Sequence, residues 1–203
     1  MTASRPVQKP IPIAGVHHTA RPTWKLAETV HFYRDLLGLP LVHAISARGW
    51  GPEDHADFVH FFFDSGNDST IAFFYYIGTT PPEFVEVRDD YRYRASHTAW
   101  RVKTREELLA CREKIEAAGI TIHYQIRHEV IESIYFDDPN GYSIEITWQV
   151  RPFELIDIRD AGRTIDTAIE IEKNRGVTPF TSIDQVWADK AAALAQDFEK
   201  AAA

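Results

Sequence analysis

The chain has 203 residues, of which 44% are hydrophobic and 26% charged, with a formal net charge of −8. This composition is typical of a globular protein with enough length for one buried domain or two small modules. The acidic balance argues against a nucleic-acid partner, because phosphate binding needs a basic face. No apolar run is long enough for a membrane span, the N-terminus does not resemble a signal peptide, and a single cysteine excludes internal disulfides. We therefore expect a cytoplasmic protein.

The first half of the chain predicts a strand, a helix and three strands. A His-Thr-Ala triplet at His18 begins the pattern. An apolar stripe of helical spacing follows, and Gly38 stands where a C-terminal cap belongs. Its members are Leu26, Val30, Tyr33 and Leu37. Strands are predicted at Leu39–Ile45, Phe58–Phe63 and Thr70–Ile77, with a turn at Asp64–Asp68 between the last two.

The second half repeats this order. His97 begins a second His-Thr-Ala triplet, 79 residues after the first. Thr104 and Glu107 form a capping box at the start of the next helix, and Gly119 ends it. Strands are predicted at Ile120–Ile126, Val130–Phe136 and Tyr142–Trp148. The duplication predicts an α+β fold in which two βαβββ modules form a curved mixed sheet around one site, related by a pseudo-twofold axis.

This pattern divides the chain into four parts. The first module is placed at 13–80, a linker at 81–94, the second module at 95–150 and a C-terminal helical extension at 151–203. Helices are predicted at 164–174 and 182–203 within the extension, which we expect to pack on the modules or on a second subunit.

Strand alternation singles out three residues as metal ligands. His97 lies on the face of its strand opposite the bulky Trp100, and His18 occupies the same place in the first copy. Glu145 stands between two isoleucines in the last strand, where an ionised carboxylate is costly unless a cation compensates it. Two imidazoles and one carboxylate are the ligand set of facial-triad Fe(II) sites, which leave positions open for substrate and O₂.

Four segments resemble the vicinal-oxygen-chelate superfamily, which includes glyoxalase I, bleomycin-resistance proteins and type I extradiol dioxygenases. They are Gly15–His18, His31–Gly38, Ser96–Trp100 and Asp138–Glu145. The resemblance covers about residues 13–150, and it implies two βαβββ modules that hold one divalent metal.

Two details of this resemblance favour the extradiol dioxygenases. Aligning the last strands of the two modules puts Ala72 where glyoxalase I and the epimerases usually have a fourth ligand. Tyr135 stands ten residues before Glu145, the spacing of a tyrosine that binds the substrate oxygen in extradiol enzymes. The resemblance thus implies an Fe(II) enzyme, with Mn(II) or another divalent metal possible, which cleaves a catechol- or hydroquinone-like aromatic with O₂. It also implies a homo-oligomer.

One feature departs from the extradiol pattern. Two-domain extradiol dioxygenases have a catalytic acid–base histidine just before the segment that corresponds to Thr70–Ala72, whereas residues 67–72 contain no histidine. His128 is the first candidate to replace this acid–base residue, and His17 is the second, since the hydroquinone-cleaving branch also has paired histidines here. His60 is a third. The alternatives are a metal-dependent lyase or isomerase of the glyoxalase and epimerase kind, and a metal-free binding protein of the bleomycin-resistance kind.

Aromatic runs at Phe61–Phe63 and Phe73–Tyr76 allow two interpretations. They would line a cavity for a flat substrate, or they would form part of the core.

Overall fold

The structure is a computed structural model that describes residues 16–48, 56–82, 95–174 and 181–202, without the side chains of residues 128 and 197–202. Most of the predicted linker, residues 83–94, lies outside this part, as do residues 13–15. The chain divides into two compact units, Met1–Gln149 and Val150–Ala203.

The first module is a four-stranded mixed sheet with one helix. Helix α1, Leu26–Val30, continues directly into a π-helical segment, His31–Leu36. The strands are β1 His18–Thr23, β2 Leu41–Ala47, β3 Phe58–Gly66 and β4 Ser69–Tyr76. They lie in the order β1-β4-β3-β2, with β1 parallel to β4 and the other pairs antiparallel.

The second module has the same topology, which confirms the predicted duplication. Helix α2 spans Arg105–Ala117 and begins with the predicted capping box at Thr104. The strands are β5 His97–Val102, β6 Tyr124–His128, β7 Ile131–Asp137 and β8 Ser143–Gln149. Their order is β5-β8-β7-β6, with β5 parallel to β8.

The start of β6 and the turn after β3 differ from the prediction. Strand β6 begins at Tyr124 rather than Ile120, because Ile120 and Ile122 pack against the core before the ladder with β7 starts. The predicted turn at Asp64–Asp68 is shorter, since β3 continues to Gly66. Asn67 and Asp68 both have positive φ angles, 54° and 58°, which is the conformation of a two-residue type I′ hairpin turn.

One hydrophobic core joins the two modules. Tyr33, on the π-helical segment, lies 4.8 Å from the Phe73 ring and 6.2 Å from the Trp100 ring, measured between centroids. The buried members of the core are Phe32, Tyr33, Phe61, Phe63, Ile71, Phe73, Leu108, Ile115, Ile134, Phe136, Ile144 and Ile146. Of the two interpretations of the aromatic runs, the one that assigns them to the core therefore holds for Phe61, Phe63 and Phe73, because alternation turns them toward the helix.

The buried carboxylate of Asp138 connects the modules. It accepts hydrogen bonds from the Tyr33 hydroxyl at 2.8 Å, the Asn140 backbone N–H at 2.8 Å and the Tyr142 backbone N–H at 2.9 Å. Tyr33 belongs to the first module and the other residues to the second. The Tyr142 hydroxyl in turn donates to the Pro22 carbonyl in β1 at 2.9 Å. The Asp-Pro-Asn-Gly segment thus fixes the junction of the modules.

A second buried carboxylate, Glu132 in β7, has charged and polar partners. Arg105 donates to its two oxygens at 2.8 Å and 3.2 Å, and Gln125 donates at 2.6 Å. The hydrogen bond from Arg105 is the main cause that lowers the pKa of Glu132.

Because the folded-state pKa of Glu132 lies below its unfolded value, this carboxylate stabilises the fold above the unfolded pKa. The stabilisation is lost as the pH falls through the folded pKa. We expect the free energy of unfolding to decline more steeply in acid for the wild type than for Glu132→Gln. The difference should be modest, because 49% of the Arg105 side chain is exposed and solvent screens the ion pair. Urea unfolding of both proteins at neutral and acidic pH measures it, and Glu129→Gln, at an exposed position, should behave like the wild type.

The C-terminal unit is a pair of helices, α3 Leu155–Lys173 and α4 Ile183–Ala202. Helix α3 begins earlier than predicted, because the Asp157 carboxylate accepts from the Glu154 N–H at 2.8 Å and pairs with Arg151 at 2.6 Å. The Lys190 ammonium in α4 binds Asp160 in α3 at 2.8 Å. Within the described ranges, no helix is long and apolar enough to cross a membrane.

Candidate metal centre

His97 and Glu145 meet on adjacent parallel strands. The His97 Nε2 atom lies 2.8 Å from a carboxylate oxygen of Glu145. Ala99 pairs with Glu145 in the β5–β8 register. His97 stands two residues before Ala99 in β5, so its side chain lies on the same face of the sheet as that of Glu145. Ile144 and Ile146 point the opposite way, into the core. Alternation therefore places the Glu145 side chain where the prediction put it.

The second oxygen of Glu145 is the most unusual atom of this site. Glu145 is only 3% exposed, and its Oε1 atom is buried with no hydrogen-bond partner in the described part of the chain. A buried carboxylate oxygen without a donor costs free energy. A cation beside His97 and Glu145 would remove this cost, so the two residues fit a divalent metal.

Tyr135 lies directly opposite Glu145 in the β7–β8 register. Its ring stands perpendicular to that of His97, with 5.8 Å between centroids. Burial, followed by the charge of Glu145 and a hydrogen bond to it, raises the pKa of Tyr135 to about 12. The phenol therefore keeps its proton at neutral pH and acts as a hydrogen-bond donor beside the carboxylate.

His18 occupies the corresponding place in the first module. Ala20 is the partner of Ala72 in the β1–β4 register, just as Ala99 is the partner of Glu145. This register agrees with the alignment of Ala72 with Glu145, and an alanine cannot supply a fourth ligand. The Nδ1 atoms of His17 and His18 are 2.9 Å apart. Since one donates to the other, the Nε2 atom of His18 remains for a metal, with His17 as the outer partner typical of such ligands.

His60 forms an aromatic group with His18 on one face of the first sheet. Its ring centroid lies 6.4 Å from that of His18 and 3.6 Å from that of Phe74, with which it stacks. Its Nδ1 lies 3.0 Å from the Phe73 carbonyl, and burial lowers the pKa of His60. The sequence analysis ranked His60 below His128 and His17 as the acid–base residue. Strand alternation could have given His60 more weight, because it places His60 on the opposite face of the strand from the core residue Phe61.

The structure thus brings together some of the predicted residues. His97, Glu145 and Tyr135 form one cluster, and His17 and His18, with His60, form another. Among residues 16–48, 56–82, 95–174 and 181–202, no group of three or more His, Cys, Asp or Glu side chains is gathered closely enough to hold a metal ion. His128 ends strand β6, but its side chain is outside the described part. The three-ligand set therefore stays a prediction.

The duplicated βαβββ topology is that of the glyoxalase fold. The profile of the Glyoxalase/Bleomycin resistance protein/Dioxygenase superfamily matches residues 15–146. The chain belongs to this superfamily, as the motifs indicated.

Similar proteins agree with this assignment. The chain is 28% identical over 145 residues to a manganese-dependent 2,3-dihydroxybiphenyl 1,2-dioxygenase of Geobacillus genomosp. 3, a match that covers 68% of this chain and 38% of that protein. The chain thus spans well under half the length of that relative.

Solved structures show the same fold. A glyoxalase/dioxygenase of Nostoc punctiforme is 20% identical with a TM-score of 0.52, over 72% of this chain and 99% of that one. A glyoxylase/bleomycin resistance protein/dioxygenase domain of Frankia sp. EAN1pec is 18% identical with a TM-score of 0.51, over 68% and 98%.

Proposed function

We propose that this protein is a divalent-metal-dependent, extradiol-type dioxygenase that acts on a catechol- or hydroquinone-like aromatic. His18, His97 and Glu145 would hold the metal. The observation that carries the proposal is the Glu145 carboxylate, which is buried, contacts His97 and has one oxygen without a partner. The 28% identical relative is a manganese-dependent dioxygenase, which supports the same class of reaction.

The donor set suits either Fe(II) or Mn(II). When bound by two imidazoles and one carboxylate, such a metal supplies a Lewis-acidic centre with open positions for a substrate oxygen and O₂. Ala72 leaves the set at three protein ligands. This favours the dioxygenase over a lyase or isomerase of the glyoxalase kind, whose sites usually take a fourth.

Tyr135 is the residue that we propose to orient the substrate. Its phenol, which donates a hydrogen bond to Glu145, keeps its proton at neutral pH and could donate that hydrogen bond to a substrate oxygen instead. His17 contacts His18 directly, which suits a role in holding that ring. For the proton transfer we propose His128, with His17 as the second candidate.

Oxygen uptake tests the proposal. The protein is reconstituted without air with Fe(II) or with Mn(II), and O₂ consumption is followed with a panel of catechols and hydroquinones. We expect uptake that depends on both metal and aromatic, with a ring-opened product. Metal binding without any uptake would favour the lyase or isomerase alternative. No metal binding would favour a metal-free binding protein.

Replacement of Tyr135 by phenylalanine tests the role of its hydroxyl group. Because the loss of one preorganised hydrogen-bond donor typically costs about 10²–10³ in kcat, we expect kcat to fall about a hundredfold while the metal content is unchanged. Tyr124 is the matched control, since its ring lies 4.6 Å from that of Tyr135 and is partly exposed. A Tyr124→Phe protein should keep its activity. Equal losses in the two variants would contradict the role of Tyr135.

A further inference from the structure

Helix α3 of the C-terminal unit has an exposed apolar stripe with heptad spacing. Leu155, Ile158, Ile165 and Ile169 are 70%, 63%, 58% and 42% exposed. Together with Gly162 they follow one another at intervals of three, four, three and four residues. This alternation is the a/d pattern of a helix that packs along its length against another helix.

The partner of this stripe is not helix α4. Asp160 and Thr164 in α3 bind Lys190 of α4 at 2.8 Å and 3.2 Å, and Ile171 is buried in the same unit. At 3.6 residues per turn, these residues lie on the opposite side of α3 from the stripe. An apolar row of this length on a protein surface marks an interaction site.

Gly162 supports the same conclusion. Glycine in the middle of a helix costs roughly 0.5–1 kcal/mol relative to alanine. A Cβ atom added at Gly162 would meet nothing within 4 Å, so packing inside the chain does not require glycine. At the centre of the stripe, however, the missing side chain lets a second helix come close.

The charges beside the stripe indicate which helix this is. Arg159 and Asp166 flank it, three residues before and four residues after Gly162. If a second copy of α3 packs antiparallel about an axis between Gly162 and Ile165, Arg159 of each copy comes near Asp166 of the other. A parallel arrangement would not bring these opposite charges together.

We propose that the α3 stripe is a dimerisation seam that packs antiparallel against the same stripe of a second copy of this chain. Ile158 and Ile169 of the two copies would form the outer layers, and Gly162 and Ile165 the inner ones. The interface is isologous, as in most homodimers.

Matched substitutions on α3 test the seam. Ile156 and Ile158 are both 63% exposed, but only Ile158 belongs to the stripe. Sedimentation velocity of the full chain is measured over roughly 1–100 µM, which brackets a micromolar dissociation constant. We expect a dimer for the wild type and for Ile156→Lys. Ile158→Lys should raise the dissociation constant at least about tenfold with unchanged helical circular dichroism.

Charge reversal tests the orientation. Arg159→Asp and Asp166→Arg should each weaken the dimer, and the double variant should restore it. A monomeric wild type would overturn the proposal, as would a dimer that Ile158→Lys leaves intact or that Ile156→Lys weakens equally. A dimer that tolerates both single reversals would overturn the antiparallel arrangement.

Discussion

Replacement of Glu145 by alanine is expected to remove tight binding of divalent metal. Glu145 is the carboxylate of the proposed ligand set, and its buried Oε1 has no other partner in the described structure. Loss of an outer-shell partner typically costs 10–100-fold in metal affinity, so loss of a ligand should cost more than about a hundredfold. Calorimetric titration of the metal-free protein with Mn(II) measures the dissociation constant without any assay of turnover.

The control for this substitution is Glu132→Gln. Glu132 is also a buried carboxylate, on the strand next to Glu145, but its partners are Arg105 and Gln125. It should change stability and leave the metal affinity as it is. If Glu145→Ala retained wild-type affinity, the proposed ligand set would be wrong.

A further variant, Ala72→Glu, should add a fourth ligand and strengthen binding, because Ala72 occupies the position in β4 that Glu145 occupies in β8.

Replacement of Asp138 by alanine is expected to produce the largest loss of stability. The change leaves the Tyr33 hydroxyl and the backbone N–H groups of Asn140 and Tyr142 without their acceptor in a buried junction. At about 1 kcal/mol for each unsatisfied donor, the free energy of unfolding should fall by about 3 kcal/mol. For a chain of this size the midpoint of thermal unfolding should fall by roughly 6–12 °C, measured by calorimetry.

Tyr33→Phe separates the hydrogen bond across the junction from the local ones. It removes a single donor and keeps the aromatic ring in the core, so it should cost about 1 kcal/mol. Similar losses for Asp138→Ala and Tyr33→Phe would show that the loop contacts of Asp138 contribute little.

The sequence was sufficient to predict the fold and the strand face on which Glu145 lies. Both depend on periodicity, since a duplicated order of strands predicts a duplicated sheet, and alternation decides which side of a strand a residue occupies. The same rule, applied residue by residue, separates Phe61 from His60 and would have placed Phe61 in the hydrophobic core and His60 on the opposite face of the sheet.

Other features depend on interactions that a linear pattern does not reveal. The role of Asp138 comes from Tyr33, 105 residues earlier in the chain, and no local signal connects them. Strand β6 begins late because Ile120 and Ile122 pack against the hydrophobic core, and backbone pairing with β7 starts only at Tyr124. Helix α3 begins early because Asp157, in its first turn, accepts a hydrogen bond from the Glu154 N–H and pairs with Arg151, which precedes the helix. The first two features were decided by tertiary contacts that compete with local preference, and the third by an ion pair outside the helical pattern.

The shared core also determines how the two modules depend on each other. Aromatic residues of the first half pack against the second half, as Phe32 does against Phe136 with 6.3 Å between ring centroids. Neither half alone can cover its apolar face, so the pair should unfold as one cooperative unit despite the repeat. Cleavage of the chain between the modules should leave the two fragments bound to each other. The duplicated half is thus a unit of sequence and topology, whereas the unit of folding is the pair.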